Sequence, residues 1–417
     1  MRTVKLDEGL YRTTGDNGVV VLSEAMPGVR SVAVGIWVRT ASVHEPRSQM
    51  GVSHLLEHMV FKGTERRSAR EIALELEARG GALDGFTSRD HTSYQARVLD
   101  EDLPRALDVL TDLVRHPVLR ESDLAMERKV VLEEISTVED TPEDLVFELH
   151  AAALWPEHPY GYSVLGTRET VSRLAAGDLR QLHQRAYHPR QVVIAAAGSL
   201  NHEVLLKLLV RCGWFTLDPG PELPPVPPVP AGARVERRVA RESAQVHLVV
   251  GTDTFPYRDR RRYALMLINT VLGGGMSSRL FQRIREELGL AYAVYSFQSL
   301  YQYAGVTGVY VGTHPRTAPQ ALEVVLGEFQ QVAAGGLSPE RLREAAQQLK
   351  GQIMLSLESP VARMHRLATL ALHQEPYRTL DQVLAEIDQV TVDEVQSVAA
   401  EYFAPDRQTT VWLGPDA

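Results

Sequence analysis

Hydrophobic and polar positions follow different periods along this chain, and each period predicts an element. Val32-Ala-Val-Gly-Ile-Trp-Val38 and Gly18-Val-Val-Val-Leu22 read as strands, as does the stretch from Thr87 to Leu99. Elsewhere the spacing is helical. Ser68-Ala-Arg-Glu71 has the form of a capping box, and the helix it opens stops at Gly80-Gly81. Thr141-Pro142-Glu143 opens another helix, with proline at the first position, where its missing N–H costs nothing. Strands and helices alternate irregularly, and the Thr/Tyr-rich runs suit antiparallel pairing. This predicts α+β layers rather than a doubly wound parallel sheet.

One pattern occurs twice. The block Ala175 to Gly198 resembles the block Thr391 to Gly414: Tyr187 pairs with Phe403, Pro189 with Pro405 and Gly198 with Gly414, all at one offset of 216. Each block reads as a capped helix, a proline stop and a strand ending at glycine. An ungapped match of that kind predicts two homologous halves. Between them, Leu217 to Ala233 is dense in proline, which forbids helix and sheet interior and favours an extended, semi-rigid spacer. The expected division is 1–216, a linker at 217–233, and 234–417.

Composition narrows the class. The 417 residues are 44% hydrophobic and 23% charged, ordinary for a globular protein, and the net charge of −9 argues against nucleic acid as a partner. A single cysteine, Cys212, precludes an intrachain disulfide and reads as a small apolar filler near a helix end. There is no run of eighteen apolar residues, and the first residues lack a signal peptide's apolar core, so the expectation is a cytoplasmic protein without a membrane span. Gly273-Gly274-Gly275 lacks the lysine of a phosphate-binding loop and the spacing of a dinucleotide turn.

The strongest chemical signal is His54-Leu55-Leu56-Glu57-His58, inside the helical stretch Val52 to Val60. Residues four apart share a helix face, so two imidazoles one turn apart can hold one side of a tetrahedral zinc. Glu57 is then placed to act as general base toward an activated water. A catalytic site needs a third ligand on another element. From Ser122 to Asp140 the apolar stripe runs Leu124, Val131, Ile135 and Val138, and Glu127 and Glu134 fall on it while Glu133 points away. Charges on a core-facing stripe are costly unless paired. Glu134 is therefore the expected third ligand, and Glu127 the expected partner that orients a histidine. Applying the offset of 216 to His54 lands on Thr270, so the motif is absent from the second half.

These residues resemble the pitrilysin-type (inverzincin) zinc metallopeptidases, in the subgroup of mitochondrial processing peptidases and their bacterial relatives. The resemblance rests on three stretches: Gly51 to Thr64; Val130-Val-Leu-Glu-Glu134; and Leu272 to Tyr292. It implies two homologous halves, each a mostly antiparallel mixed sheet with helices packed on it, enclosing a chamber. It implies one Zn2+ per chain on His54, His58 and Glu134, with Glu57 activating water. It also implies that Arg285 and Tyr292 contact the substrate carbonyl, a role suited to a cation and a phenol. On their own, Arg285 reads as a surface partner of a neighbouring glutamate and Tyr292 as a strand residue with its ring in the core. The segment Gly80 to Tyr94 matches the family's edge strand, which binds extended peptide by strand addition. There Asp84-Gly85, followed by Phe86, stands where the family usually has Asn-Ala, and an ionised aspartate only accepts hydrogen bonds. His91 reads as a strand residue rather than a fourth ligand.

The expected function is thus zinc-dependent endopeptidase action on unfolded peptides or processing segments, by a homodimer. The alternatives are a catalytic subunit active only with a separate partner chain, or a non-catalytic structural or assembly homologue. The intact motif argues against the last.

Overall fold

In the computed structural model, which describes residues 1–415, the first apolar runs pair into one sheet of seven strands. They are β1 (Arg2–Asp7), β2 (Leu10–Thr14), β3 (Val20–Ala25), β4 (Ser31–Val38), β5 (Ala82–Thr87), β6 (Thr92–Leu99) and β7 (Val192–Gly198). Their spatial order is β1-β2-β3-β7-β4-β6-β5, with β3 and β7 parallel and the other neighbours antiparallel. The unbroken apolar run of β4 serves both faces of this sheet. Val32, Val34, Ile36 and Val38 enter one core, with Leu55, Leu56 and Met59 of the Val52–Val60 helix. Ala33 and Trp37 point to the other, against Met364, Leu367 and Ala368. A strand covered on both sides has no solvent-facing positions to make polar.

The second sheet has five strands: β8 (Glu236–Ala240), β9 (Val246–Thr254), β10 (Ala291–Leu300), β11 (Gly305–Thr313) and β12 (Thr409–Gly414). Their order is β10-β11-β9-β12-β8, with β8 and β12 parallel and the rest antiparallel. Read from the parallel pair outward, it repeats β3-β7-β4-β6-β5 strand for strand. The repeated blocks also recur as structure: helices Ala176–Ala186 and Val392–Tyr402 precede β7 and β12.

The chain forms two compact units, each built from three stretches: Met1–Ile135, Ser163–Val226 and Ser356–Tyr377 in one, Ser136–Tyr162, Pro227–Leu355 and Arg378–Ala417 in the other. The helix over the second face of the seven-stranded sheet is Pro360–Leu372, from the C-terminal half of the sequence. The five-stranded sheet is covered by Pro142–Leu154, from the N-terminal half, through Val146 and Ala153 against Val249, Tyr310 and Val411. A division into 1–216 and 234–417 therefore differs from the packing by these two helices, because each half supplies one apolar cover to the other's sheet.

Three local expectations are also revised. Thr87 to Leu99 is not one strand: Ser88 to His91 form a turn between β5 and β6, closed by Ser88 N–H donating to His91 O at 2.9 Å. His91 belongs to that turn, its ring 3.2 Å from Ser88 Oγ. The proline-rich segment has no helix or strand, yet it is fastened rather than a free spacer. Leu217 and Leu223 pack on the first unit's core, and in the second unit Trp155 Nε1 and His158 Nε2 donate to the carbonyls of Pro230 and Pro227 at 3.2 and 3.1 Å. Among the described residues, no helix is long and apolar enough to cross a membrane.

Candidate metal centre

The helix Val52–Val60 is embedded: Val52, Leu55, Leu56, Met59 and Val60 are all buried. This sets which face of the helix meets the core, and His54 and His58 lie side by side with ring centroids 4.7 Å apart. The second helix, Glu121–Asp140, is held by Leu124, Val131 and Ile135 in the same core, and Glu133 is exposed, as its position on the helix predicts. It brings Glu134 Oε2 to 3.6 Å from His54 Nε2 and 3.7 Å from His58 Nε2. The three donor atoms all lie within 4.8 Å of one another. Zinc–ligand bonds of about 2.0–2.2 Å at tetrahedral angles require donor separations of roughly 3.3–3.6 Å. The two measured edges are close to that, and two imidazoles with a carboxylate are a donor set zinc accepts.

Protonation suits the same use. Burial, and then the neighbouring His58, push His54 down to about 3, so its imidazole is neutral and has a lone pair to give. His58 Nδ1 is 3.2 Å from Glu127 Oε2, and the other Glu127 oxygen is 2.7 Å from Lys62 Nζ. The chain Lys62–Glu127–His58 neutralises a buried carboxylate and fixes the ring so that Nε2 faces Glu134. Lys62 was not singled out in the sequence. It stands four residues after His58, the spacing that already linked His54 to His58.

Glu57 is buried, and Thr87 Oγ1, at the end of β5, donates to its Oε2 at 3.0 Å. Burial is the main cause that raises Glu57 above the ordinary carboxylate range, opposed by His58 and by the Thr87 hydroxyl. A carboxylate so placed accepts a proton more readily than one in water. The strand passes so close that a Cβ on Gly85 would lie 2.7 Å from Glu57 Oε1 and 2.8 Å from the Phe61 ring. Asp84 is exposed and takes up its neighbour's backbone, with Gly85 N–H donating to Oδ1 at 2.9 Å. Phe86 is 56% exposed on the same strand, which forms one edge of the sheet.

The second unit holds Arg285 and Tyr292. Arg285 lies in a π-helical turn, Phe281–Glu287, and its guanidinium carbon stands 4.4 Å over the Tyr292 ring and 4.7 Å over Phe281. It also pairs weakly with Glu286 at 3.7 Å. Tyr292 is 76% exposed, so its ring is not a core residue. Thr270, which the sequence offset of 216 pairs with His54, is buried in the Arg262–Gly273 helix and donates to Met266 O.

Residues 20–168 match the family model described as insulinase (peptidase family M16), and residues 173–349 match the peptidase M16 inactive domain. The chain is 38% identical over 400 residues to an uncharacterized zinc protease of Streptomyces coelicolor, covering 94% of this chain and 86% of that one. It is 38% identical over 397 residues to an uncharacterized zinc protease of Bacillus subtilis, covering 95% and 96%. The fold matches the crystal structure of a peptidase M16 inactive domain from Pseudomonas fluorescens (TM-score 0.91, 22% identity, 98% of both chains). It also matches a protease from Helicobacter pylori (TM-score 0.90, 21% identity, 97% and 99%). The chain belongs to peptidase family M16.

Proposed function

We propose that this chain is a zinc-dependent endopeptidase that hydrolyses peptide bonds inside unfolded peptides or processing segments. The observation that carries the reading is the convergence of His54, His58 and Glu134 beside a buried Glu57. A zinc ion on those three side chains would polarise the scissile carbonyl and acidify water. Glu57 takes the proton from the attacking water as its oxygen bonds to the carbonyl carbon. It then delivers that proton to the amine nitrogen as the C–N bond breaks. Thr87 holds the carboxylate in place throughout.

Substrate binding follows from two other features. The edge strand β5 offers backbone groups to an extended peptide, which favours unfolded chains over folded ones. Arg285 and Tyr292, stacked and solvent-accessible, are suited to donate to the carbonyl oxygen as it gains charge. Because the motif and this pair occur on one chain, we read the active form as a homodimer of this chain, independent of a related partner.

The test is the zinc content of the purified chain, with the fragments it makes from a library of unstructured peptides before and after chelation. We expect about one zinc per chain, cleavage lost on chelation, and activity restored by zinc. Cleavage that survives complete metal removal would end the metallopeptidase reading. Cleavage that begins only after another protein is added would replace the homodimer with a partner-dependent subunit.

A further inference from the structure

The helix that carries His54, Glu57 and His58 has no side-chain cap of its own. Its N-cap residue is Gly51, at φ 87°, and a Cβ there would lie 2.5 Å from the Leu165 carbonyl oxygen. The usual local solution, a serine, threonine or aspartate at the N-cap, is thereby closed off. The first N–H groups go to Glu45 instead, six residues upstream between two short 3₁₀ turns. Gly51 N–H donates to Oε2 at 2.8 Å and Ser53 N–H to Oε1 at 2.7 Å.

Glu45 is only 5% exposed, and burial pushes its carboxyl up to about 7. A neutral cap would satisfy the same donors without taking an acid out of water, so this arrangement does not maximise stability alone. A carboxylate gripping two donors of one turn, on Gly51 and Ser53, one with each oxygen, fixes rotation as well as position. On a helix of about 5–6 Å outer radius, a turn of about 20° moves a side-chain tip by roughly 2 Å. Zinc ligand distances tolerate about 0.2 Å. His54 follows Ser53 directly, at the point where such a rotation acts.

We propose that Glu45 is a positioning residue for the metal centre: its grip on Gly51 and Ser53 sets the rotation of the Val52–Val60 helix and hence the aim of His54. This inference rests on the zinc reading above.

The experiment is competition for zinc between the full-length chain and a chromophoric chelator, with a thermal melt of each zinc-free protein. Glu45→Gln keeps the shape but turns an amide N–H₂ against a backbone N–H. We expect it to bind zinc about 10–100-fold more weakly. Glu45→Asp, one methylene shorter, should recover part of that loss and provides the measurement should the glutamine variant fail to fold. Ser68→Ala, which removes the ordinary cap of the Ala69–Glu77 helix, should lower the melting temperature and leave zinc affinity unchanged. Zinc affinity within about twofold of wild type in the Glu45 variants, whatever their melting temperature, would overturn the proposal while leaving the peptidase reading intact. A wild-type chain that takes up no zinc would overturn both.

Discussion

The two sheets share a five-strand order, yet among the described residues only the first unit gathers two imidazoles and a carboxylate at metal-binding distance. In the first unit, two helices bring His54, Glu57, His58, Glu127 and Glu134 together. In the second, no such group is found among the described residues, and Thr270, which the sequence offset pairs with His54, has its hydroxyl satisfied within its own helix. The fold is thus stable in both versions, and the polar cluster is not something the architecture demands. Buried carboxylates cost free energy unless partnered, and the first unit supplies those partners: Lys62 and His58 to Glu127, and Thr87 to Glu57. The second unit instead presents an exposed arginine-tyrosine stack on a π-helical turn, an irregularity often found where function is.

The largest expected effect tests the first unit's share. Glu57→Gln should cut peptide cleavage by about 10²–10⁴-fold with zinc content unchanged, measured by turnover and metal analysis. Next comes the second unit's share. Arg285→Lys or Tyr292→Phe should lower kcat by up to about 10²–10³-fold and leave zinc affinity untouched; unchanged kcat would reduce the second unit to scaffold. Glu127→Gln should weaken zinc binding about 10–100-fold, read by chelator competition, with Lys62→Met acting in the same direction and less strongly.

Acid should separate the units more gently. His44, His54 and His91 in the first unit and His150 in the second are all held below the ordinary imidazole value of about 6.5 by burial, to about 4, 3, 4 and 4. Because the folded form takes up these protons less readily, their contribution to stability is full above about pH 6.5 and falls as the pH drops toward 4. The zinc-free chain should therefore lose hydrogen-exchange protection in the first unit before the second. The smallest change is Asp84→Asn, which restores a donor beside Gly85. We expect about a few-fold shift in cleavage-site preference, since rim charges contribute little to affinity.

Much of this is legible in the sequence alone. The helical spacing of His54 with His58 and of Glu127 with Glu134 follows from 3.6 residues per turn, and the offset of 216 anticipated the repeated strand order. What escaped the sequence is held by tertiary contacts with no local period. Thr87 reaches Glu57 across from a neighbouring strand, Glu45 caps a helix it does not belong to, and the Ser88–His91 turn breaks an otherwise strand-like run. The covers of the two sheets were hidden for the same reason: an apolar helix face does not name the sheet it will meet.

That reciprocal covering has a consequence for synthesis. Translation delivers the N-terminal end first, so β7 is complete at Gly198 long before Pro360 leaves the ribosome. Until then the face bearing Ala33, Trp37, Val193 and Ala195 lacks the helix that will shield it. The nascent chain must wait, sticky on one side, for its own distant C-terminal part, and a ribosome stalled before Ser356 would release a product that chaperones or proteases have to meet.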